Sequence, residues 1–381
     1  MENHSQQLTP LRHWLHQHPE ISGQEKNTAD HVFSFLQTCN PDQLVRHIGG
    51  EGILALFDSG LPGPVILCRS ELDALPIRET NDIAHRSVME NTMHACGHDG
   101  HTAILCGLAK RLSANKPALG KVYLLFQPAE ETGEGAKKVM EDEQFNIRPD
   151  FVFALHNLPG FASGNIVIKQ GLFSAAVQSV ILKLMGKTTH AAEPESGINP
   201  ALAISEMICL ADRLKNQDPA SEAYSLVTPI QIRMGSAAYG TAAGEGELHY
   251  TLRCRDQVHL DQLREQLVEG CHQIALTHGL SFSFELLQTF YANNNHAAAN
   301  QLVKNAALDL GYTVEEREIP FQWGEDFGYF TSSFKGCMFG IGAGKNHPAL
   351  HNPDYDFPDD LLDKGVNMFN RIIQLLSQHY V

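Results

Sequence analysis

The feature that most constrains the fold of this chain is a recurring pattern: a short apolar run stops at polar side chains and is followed by a helical stretch. The runs at residues 65–67, 122–126, 151–155 and 337–341 are the clearest strand candidates. Strands that alternate with helices predict an α/β fold with a mostly parallel sheet. The carboxyl ends of such strands lie at one edge of the sheet, so we expect the polar residues that follow them to form one site.

Residues 177–288 show a different order of elements: strand, helix, strand, strand, helix, strand. This is the split βαβ order of a ferredoxin-like α+β module. A chain of 381 residues with 43% hydrophobic content is also longer than one compact domain usually is. We therefore predict a three-layer α/β/α domain made of residues 1–176 and 289–381, with a ferredoxin-like domain inserted at residues 177–288.

The charge balance excludes several classes of partner. There are 28 Lys and Arg against 44 Asp and Glu, and the formal net charge of −16 repels phosphate backbones and anionic membranes. We therefore expect no nucleic-acid partner and no membrane partner. The sequence contains neither a signal-peptide pattern nor an apolar stretch long enough to cross a bilayer, so a cytoplasmic location is predicted. Of the eight cysteines, Cys68, Cys106 and Cys337 lie within apolar runs and are expected to be buried free thiols.

A thiol and three imidazoles are crowded around two glycines at residues 93–101, which read MHACGHDGH. Cys96 and His98 are close enough in sequence for one turn to offer both to a single ion, and thiolate and imidazole both bind zinc-like metals. The apolar spacing that follows predicts a helix over residues 101–112, with Asp99 or Thr102 to cap its start. An isolated Cys-x-His pair has little specificity, so its meaning depends on what accompanies it.

Two adjacent carboxylates, Glu130 and Glu131, follow the apolar run at residues 122–126. Neighbouring side chains in extended backbone point in opposite directions, which suits the pair to two different tasks. One carboxylate is able to hold a metal while the other transfers protons. Two acidic residues in a loop are, on their own, most often simply solvated.

His156 and His351 each follow a predicted strand, and each precedes an asparagine. A single histidine in such a position is usually a hydrogen-bonded structural residue. Together with Cys96, His98 and one of the two glutamates, however, they form a ligand set large enough for two ions that share one ligand. A thiolate is a suitable bridge.

Taken together, these motifs resemble the metallopeptidase family that includes hippurate hydrolase, bacterial N-acyl amino acid amidohydrolases and plant auxin-conjugate hydrolases. The resemblance extends over nearly the whole chain. It is carried by the segments at residues 15–20, 71–77, 93–101, 128–131, 190–192, 325–327 and 351–357.

The resemblance implies one or two divalent ions per chain (zinc, manganese, cobalt or nickel) and a role for each motif residue. The implied metal ligands are Cys96 as the bridge, His98, Glu131, His156 and His351. Glu130 would be the general base, and Asp73 would orient a metal-binding histidine, for which His98 is the expected partner. His190, in the inserted domain, would polarise the scissile carbonyl or stabilise the oxyanion. That domain would also act as a lid and mediate a homodimer.

The predicted function is hydrolysis of the amide bond of a small N-acyl amino acid. A dipeptidase or carboxypeptidase-like activity at the same site is the main alternative. A second alternative makes Cys96 a covalent nucleophile activated by a nearby histidine. A third is a metal-binding protein without catalysis, although such a protein would need no free glutamate beside its ligands.

Overall fold

The computed structural model describes residues 5–218 and 220–378. The chain forms two compact units. The first contains the described residues up to Phe173, the segment Asn293–Glu318, and the described residues from Glu325 onward. The second contains Ser174–Ala292 and a short return segment, Ile319–Gly324. The return segment was not part of the predicted insertion at residues 177–288, because a stretch this short carries no periodic pattern of its own.

The strands in the described residues are β1 Gln43–Ile48, β2 Gly52–Asp58, β3 Val65–Glu71, β4 Lys121–Gln127, β5 Phe151–Pro159, β6 Ile166–Ile168, β7 Gly171–Ser174, β8 Ala176–Met185, β9 Thr189–His190, β10 Ser225–Met234, β11 Thr241–Ala242, β12 Glu245–Cys254, β13 Ser281–Phe290, β14 Asn293–Asn295, β15 Val314–Glu316 and β16 Lys335–Gly344.

The α-helices in the same ranges are α1 Ser5–Gln17, α2 Lys26–Thr38, α3 His98–Ala114, α4 Gly135–Glu141, α5 Ala201–Arg213, α6 Gln257–Thr277, α7 Ala297–Asp309, α8 Gly328–Ser333 and α9 Leu362–Gln378. Short 3-10 helices lie at Pro194–Ser196 and Asp359–Leu361. None of these helices combines the length and the apolar character that crossing a bilayer requires.

The first unit is organised around an eight-stranded sheet in the order β1-β2-β4-β3-β5-β16-β6-β15. The four central strands β4, β3, β5 and β16 run parallel to one another. In β3, the six residues from Ile66 to Glu71 are all buried, which requires both faces of the sheet to be covered. Helices α1, α3, α7 and α9 pack on one another in one layer, and α4 packs on α8. The predicted α/β class with a mostly parallel sheet is thereby confirmed.

The second unit contains a four-stranded antiparallel sheet in the order β10-β12-β8-β13. Buried and half-buried residues alternate along β8, as expected for a sheet with one covered face. The buried set, including Val180, Leu182 and Leu184, shares a core with residues of α5 and α6 such as Met207 and Leu260. The chain order of these main elements is the predicted ferredoxin-like order.

Helix α3 begins at His98, three residues before the predicted start, and the predicted side-chain cap is wrong. The N-cap residue is Gly97, whose φ of 94° lies in the left-handed region, and no side chain caps the helix. The carboxylate of Asp99 instead accepts hydrogen bonds from Arg12 at 3.5 Å and from His16 at 2.9 Å. Thr102 donates its hydroxyl to the carbonyl of Glu71 at 2.6 Å. Both candidate caps are therefore used by distant segments.

Candidate active site

The parallel central strands bring several predicted site residues to one edge of the sheet. Strand β3 leads to Asp73, and β4 leads to Glu130 and Glu131. His156 lies inside β5, which continues to Pro159, beyond the predicted end of the strand at residue 155. Strand β16 leads through the loop after Gly344 to His351. The carboxyl ends of parallel strands thus supply these side chains, as expected for an open α/β sheet.

The turn before α3 places Cys96 and His98 beside β5. Gly97 is required there for two reasons: its φ is 94°, and a Cβ atom at this position would lie 2.4 Å from the side-chain oxygen of Asn157. The Sγ of Cys96 lies 3.5 Å from Nε2 of His156. The backbone turn therefore directs a thiol and an imidazole toward the strand that carries a second imidazole.

The five predicted metal ligands fall into overlapping groups of donor atoms. In each group, every donor lies within 4.8 Å of the others. One group consists of Cys96, His98 and His156, and another of Cys96, Glu131 and His351. Cys96 is common to both, which is the position that a bridging ligand would occupy.

The two buried histidines of the cluster present the same ring nitrogen to it. The Nδ1 of His98 donates to the carbonyl oxygen of Asp73 at 2.9 Å, and the Nδ1 of His156 donates to the carbonyl oxygen of Asn157 at 2.8 Å. These bonds orient each ring so that Nε2 faces the other donors. This is the arrangement that metal-binding histidines adopt when a second hydrogen bond sets their tautomer.

The atoms of the cluster fit a divalent cation. Within the described residues, Nε2 of His98 and Oε1 of Glu131 are buried without a hydrogen-bond partner. Burial raises the pKa of Glu131 to about 7 despite the opposing charge of His98. Burial alone would lower the pKa of His98, but the contact with Asp73 and the charge of Glu71 raise it to about 10. The raised pKa values of Glu131 and His98 mean that both groups hold protons more tightly than usual. The cluster therefore favours added positive charge, which a divalent cation would supply.

Glu130 lies beside this cluster, but it belongs to neither of the two donor groups that contain Cys96. Its Oε2 is 3.8 Å from Nε2 of His98, and its Oε1 accepts the backbone N–H of Asp326 at 3.4 Å. Burial and the neighbouring charges of Glu325 and Glu131 raise the pKa of Glu130 well above its usual range. A carboxylate with a raised pKa is suited to accept a proton and return it near neutral pH.

Asp73 contacts both His98 and Glu131. Its Oδ1 lies 3.4 Å from Nδ1 of His98, while the shorter contact to that nitrogen, 2.9 Å, comes from its own backbone carbonyl. Its Oδ2 accepts the backbone N–H of Glu131 at 2.9 Å and the hydroxyl of Ser22 at 2.7 Å. Asp73 therefore orients His98 mainly through its main chain and fixes the backbone of Glu131 through its side chain.

His190 belongs to the second unit, where β9 pairs with β11. Its side chain is exposed, and its Nδ1 accepts the backbone N–H of Ala192 at 3.0 Å. In a neutral imidazole the proton must then be on Nε2. His190 thus presents an outward-facing N–H donor.

A buried chain of polar contacts under the cluster was not assigned a role from the sequence. The Nδ1 of His101 lies 2.7 Å from Glu71, and its Nε2 lies 2.5 Å from the side-chain oxygen of Asn157. The ring centroid of His101 is 5.0 Å from that of His156. Glu71 and His101 both lie within sequence motifs already recognised, but their partners come from other segments. Only the three-dimensional structure brings them together.

Arg69 is the other group that sequence reasoning missed. Its guanidinium is fully buried on β3 and contacts Glu71, Glu325 at 3.0 Å and Asp326 at 2.5 Å. It also donates to the side chain of Gln127 at 3.0 Å. The sequence signal for Arg69 was its position as a charged residue near the end of the apolar strand β3. This cluster supports the segment whose backbone N–H contacts Glu130.

The burial of Cys96 bears on the alternative that makes it a nucleophile. Burial and the neighbouring carboxylates, chiefly Glu131, raise the pKa of its thiol well above the usual range. A nucleophilic cysteine needs a lowered pKa and a cationic partner. The environment of Cys96 is therefore that of a ligand whose thiolate form requires a cation.

Comparisons with known proteins identify the family of this chain. The model of peptidase family M20/M25/M40 matches residues 67–375. An N-acetyldiaminopimelate deacetylase of Lactobacillus helveticus (strain DPC 4571) is 30% identical over 95% of both chains. An N-acetyl-L-cysteine deacetylase of Bacillus subtilis (strain 168) is 32% identical over 94% of this chain and 85% of that protein.

Among solved structures, the YXEP protein of Bacillus subtilis, described as a dinuclear metal-binding peptidase of the M20 family, superimposes with a TM-score of 0.83. It is 26% identical, and the match covers 98% of each chain. The family model spans well over half of this sequence, and the matched residues include Glu130 and all five predicted metal ligands. The chain belongs to peptidase family M20/M25/M40.

Proposed function

We propose that this protein is a metal-dependent amidohydrolase that cleaves the amide bond of small N-acyl amino acids and releases a carboxylic acid and an amino acid. The observation that carries the proposal is the set of sulfur, nitrogen and oxygen donors grouped around Cys96, with Glu130 beside them. Two relatives named for removing acetyl groups from amino acids support the substrate class.

The residues that would hold one or two ions are Cys96 as the shared ligand, His98 and His156 on one side of it, and Glu131 and His351 on the other. A mixed set of thiolate, imidazole and carboxylate suits zinc, manganese, cobalt or nickel. The relative described as dinuclear supports a two-ion site. When bound, such an ion supplies Lewis acidity to the amide carbonyl and increases the acidity of the attacking water.

Glu130 performs the proton transfers in this proposal. Its carboxylate takes a proton from the water whose oxygen forms the new C–O bond. The same group then gives that proton to the amide nitrogen as the C–N bond breaks, so that the amino acid leaves as an amine. His190 donates its Nε2–H to the carbonyl oxygen, where negative charge develops.

The experiment that tests the proposal is a substrate panel assayed with defined metals. The panel contains acetyl, benzoyl and indoleacetyl amino acids, together with dipeptides. We expect hydrolysis of N-acyl amino acids to exceed that of dipeptides in kcat/KM. A preference for dipeptides would assign the site to the dipeptidase alternative, and activity that persists after complete chelation would assign it to a cysteine nucleophile.

We also propose that the protein forms a homodimer through strand β10 of the second unit. This strand lies at the edge of its sheet and exposes Ile230, Ile232 and Met234. An apolar edge with unpaired backbone groups is a template for pairing with a second strand, and a two-fold axis would join two copies. Light scattering should give the dimer mass for the unaltered protein and the monomer mass for Ile232→Lys. A monomer of the unaltered protein at all concentrations would contradict the proposal.

A cytoplasmic location completes the proposal. All eight cysteines are free thiols, seven of them buried. Free thiols are typical of reducing compartments. Cell fractionation tests this directly, and recovery of the protein outside the cytoplasmic fraction would contradict it.

A further inference from the structure

The turn that carries Glu130 and Glu131 has an unusual backbone. Ala129, the residue before Glu130, has a φ of 53°, which is left-handed and costly for a residue with a Cβ atom. Its carbonyl accepts the N–H of Gly135 at 3.0 Å, and the carbonyl of Glu130 accepts that of Gly133 at 2.7 Å. Such a conformation persists only where surrounding contacts hold it.

One of those contacts comes from the N-terminal part of the chain. The backbone N–H of Ala129 donates to Oε1 of Glu25 at 2.8 Å, and the N–H of Gly23 donates to the same oxygen at 2.8 Å. Glu25 is 0% exposed. Burying a carboxylate is costly unless hydrogen bonds compensate for the lost water. The burial of Glu25 against the strained backbone of Ala129 therefore calls for a structural or functional reason.

The position of Glu25 at the start of α2 suggests helix capping, but the structure does not support that role. Glu25 occupies the N-cap position of α2, and its side chain makes no capping hydrogen bond. The start of this helix is served instead by Glu20, whose carboxylate accepts from the backbone N–H of Thr28 at 2.8 Å and from its hydroxyl at 2.9 Å. The carboxylate of Glu25 is thus directed at the turn of Ala129.

A second buried carboxylate holds the other side of Glu130. Asp73 accepts the N–H of Glu131 at 2.9 Å through Oδ2, the oxygen that also accepts the hydroxyl of Ser22 at 2.7 Å. The amides that flank Glu130 are therefore both bound by buried carboxylates. Ser22 connects the two, because it belongs to the same loop as Glu25.

We propose that Glu25 is a positioning residue: by holding the N–H of Ala129, it fixes the left-handed turn that orients Glu130 and Glu131. The inference rests on the proposed function, which makes these two glutamates the base and a metal ligand. The hydrogen bonds of the Glu25 side chain go to the backbone N–H groups of Gly23 and Ala129 and not to the side chains of Glu130 or Glu131. Burial and the charge of Asp73 raise the pKa of Glu25 to about 7, so its neutral form is accessible and glutamine is a close mimic of it.

The test compares Glu25→Ala, Glu25→Gln and the control Glu20→Ala. We expect Glu25→Ala to lower kcat by about 100-fold, the scale expected when a reacting group shifts by about 1 Å, with KM little changed. Metal content should fall far less than in Glu131→Gln, because Asp73 still accepts the N–H of Glu131. Glu25→Gln retains an acceptor oxygen and should stay close to the unaltered protein. Glu20→Ala removes a carboxylate from the same segment and should lower stability while leaving kcat in place. Equal losses in Glu25→Ala and Glu25→Gln would overturn the proposal.

Hydrogen exchange supplies a readout that does not depend on activity. The amides of residues 127–135 should exchange faster in Glu25→Ala than in the unaltered protein or in Glu20→Ala, because the N–H of Ala129 loses its acceptor. Unchanged exchange would overturn the proposal even if no substrate had been found. Absence of hydrolysis by the unaltered protein would instead reject the proposed function and leave this exchange result to decide the contact.

A second substitution tests whether the left-handed turn is the link. Glycine adopts positive φ without steric cost, so the double variant with Glu25→Ala and Ala129→Gly should recover part of the lost kcat. Recovery would not be expected if Glu25 only stabilised the fold. A double variant as slow as Glu25→Ala would contradict the proposed role.

Discussion

The Sγ of Cys96 lies 3.5 Å from Nε2 of His156 and joins the turn before α3 to strand β5. Cys96 also belongs to the donor group that contains Glu131 and His351. Loss of Cys96 would remove a donor from both groups, whereas loss of a ligand such as His351 would remove a donor from only one.

Replacing Cys96 by alanine should therefore reduce metal binding at both positions. Loss of a residue that only supports a metal ligand lowers metal affinity by roughly 10- to 100-fold. Loss of Cys96 should lower metal affinity by more than this. Elemental analysis after dialysis against defined metal is the measurement. Cys209→Ala is the matched control, because Cys209 is exposed on α5. Equal metal content in the two variants would show that Cys96 is not a ligand.

Glu130→Gln should separate proton transfer from metal binding. We expect kcat to fall by about 100- to 10,000-fold, the usual contribution of a general acid–base group, while metal content is retained. Glu131→Gln should lower metal content as well, since Glu131 belongs to the donor group with Cys96. A Glu130→Gln variant that still turns over substrate at a comparable rate would remove Glu130 from the mechanism.

The buried His16 should make stability depend on pH in the alkaline range. Burial lowers its pKa, but hydrogen bonds to Asp99 and Glu79 outweigh burial and raise it from 6.5 to about 9, equivalent to about 3 kcal/mol of folding free energy. Because the folded state binds the proton more tightly, this contribution is complete below pH 6.5 and is lost as the pH rises through about 9. The difference in urea unfolding free energy between the unaltered protein and His16→Gln should shrink over that range, and a constant difference would refute the assignment.

Removing the cation of the buried cluster on β3 should destabilise the fold. Arg69→Met leaves Glu71, Glu325 and Asp326 without their buried partner, and we expect a loss of about 3–5 kcal/mol in unfolding free energy. Arg371→Met is the control, because Arg371 pairs with Asp309 at the surface, where ion pairs contribute little. Similar losses in both variants would mean that the buried cluster has no special importance.

His190→Ala should lower kcat while leaving metal content and oligomeric state unchanged. Loss of one donor to a developing oxyanion costs about 100- to 1,000-fold in kcat. His259→Ala, at the exposed start of α6, controls for the loss of a histidine from the same unit. Steady-state kinetics in which the two variants match would exclude the proposed donor role of His190.

Some of the residues that bear chemistry could be recognised from the sequence because they lie at the end of an apolar run. Glu130, Glu131 and His156 are examples, and the strand order places them at one edge of the sheet. Cys96 and His98 were recognised by a different signal, the crowding of a thiol and imidazoles beside glycines at the start of a helix. The ferredoxin-like order of the second unit was readable for the same reason, since its strands and helices have regular periodicity.

The contacts that support the site could not be read from local patterns. Arg12 and His16 bind Asp99 from 87 and 83 residues away, and so Asp99 is not available to cap α3. Arg69 meets Asp326 across 257 residues. Pairings over such separations depend on the packed fold, and a single sequence carries no periodic signal for them.

The most direct test of the central claim is removal and return of the metal in the unaltered protein. The protein is stripped with a chelator and reloaded with zinc, manganese, cobalt or nickel, and bound ions and hydrolysis of an N-acetyl amino acid are measured in the same samples. We predict that one or two ions bind per chain and that activity disappears and returns with them. Full activity in protein that holds no ion would contradict the account.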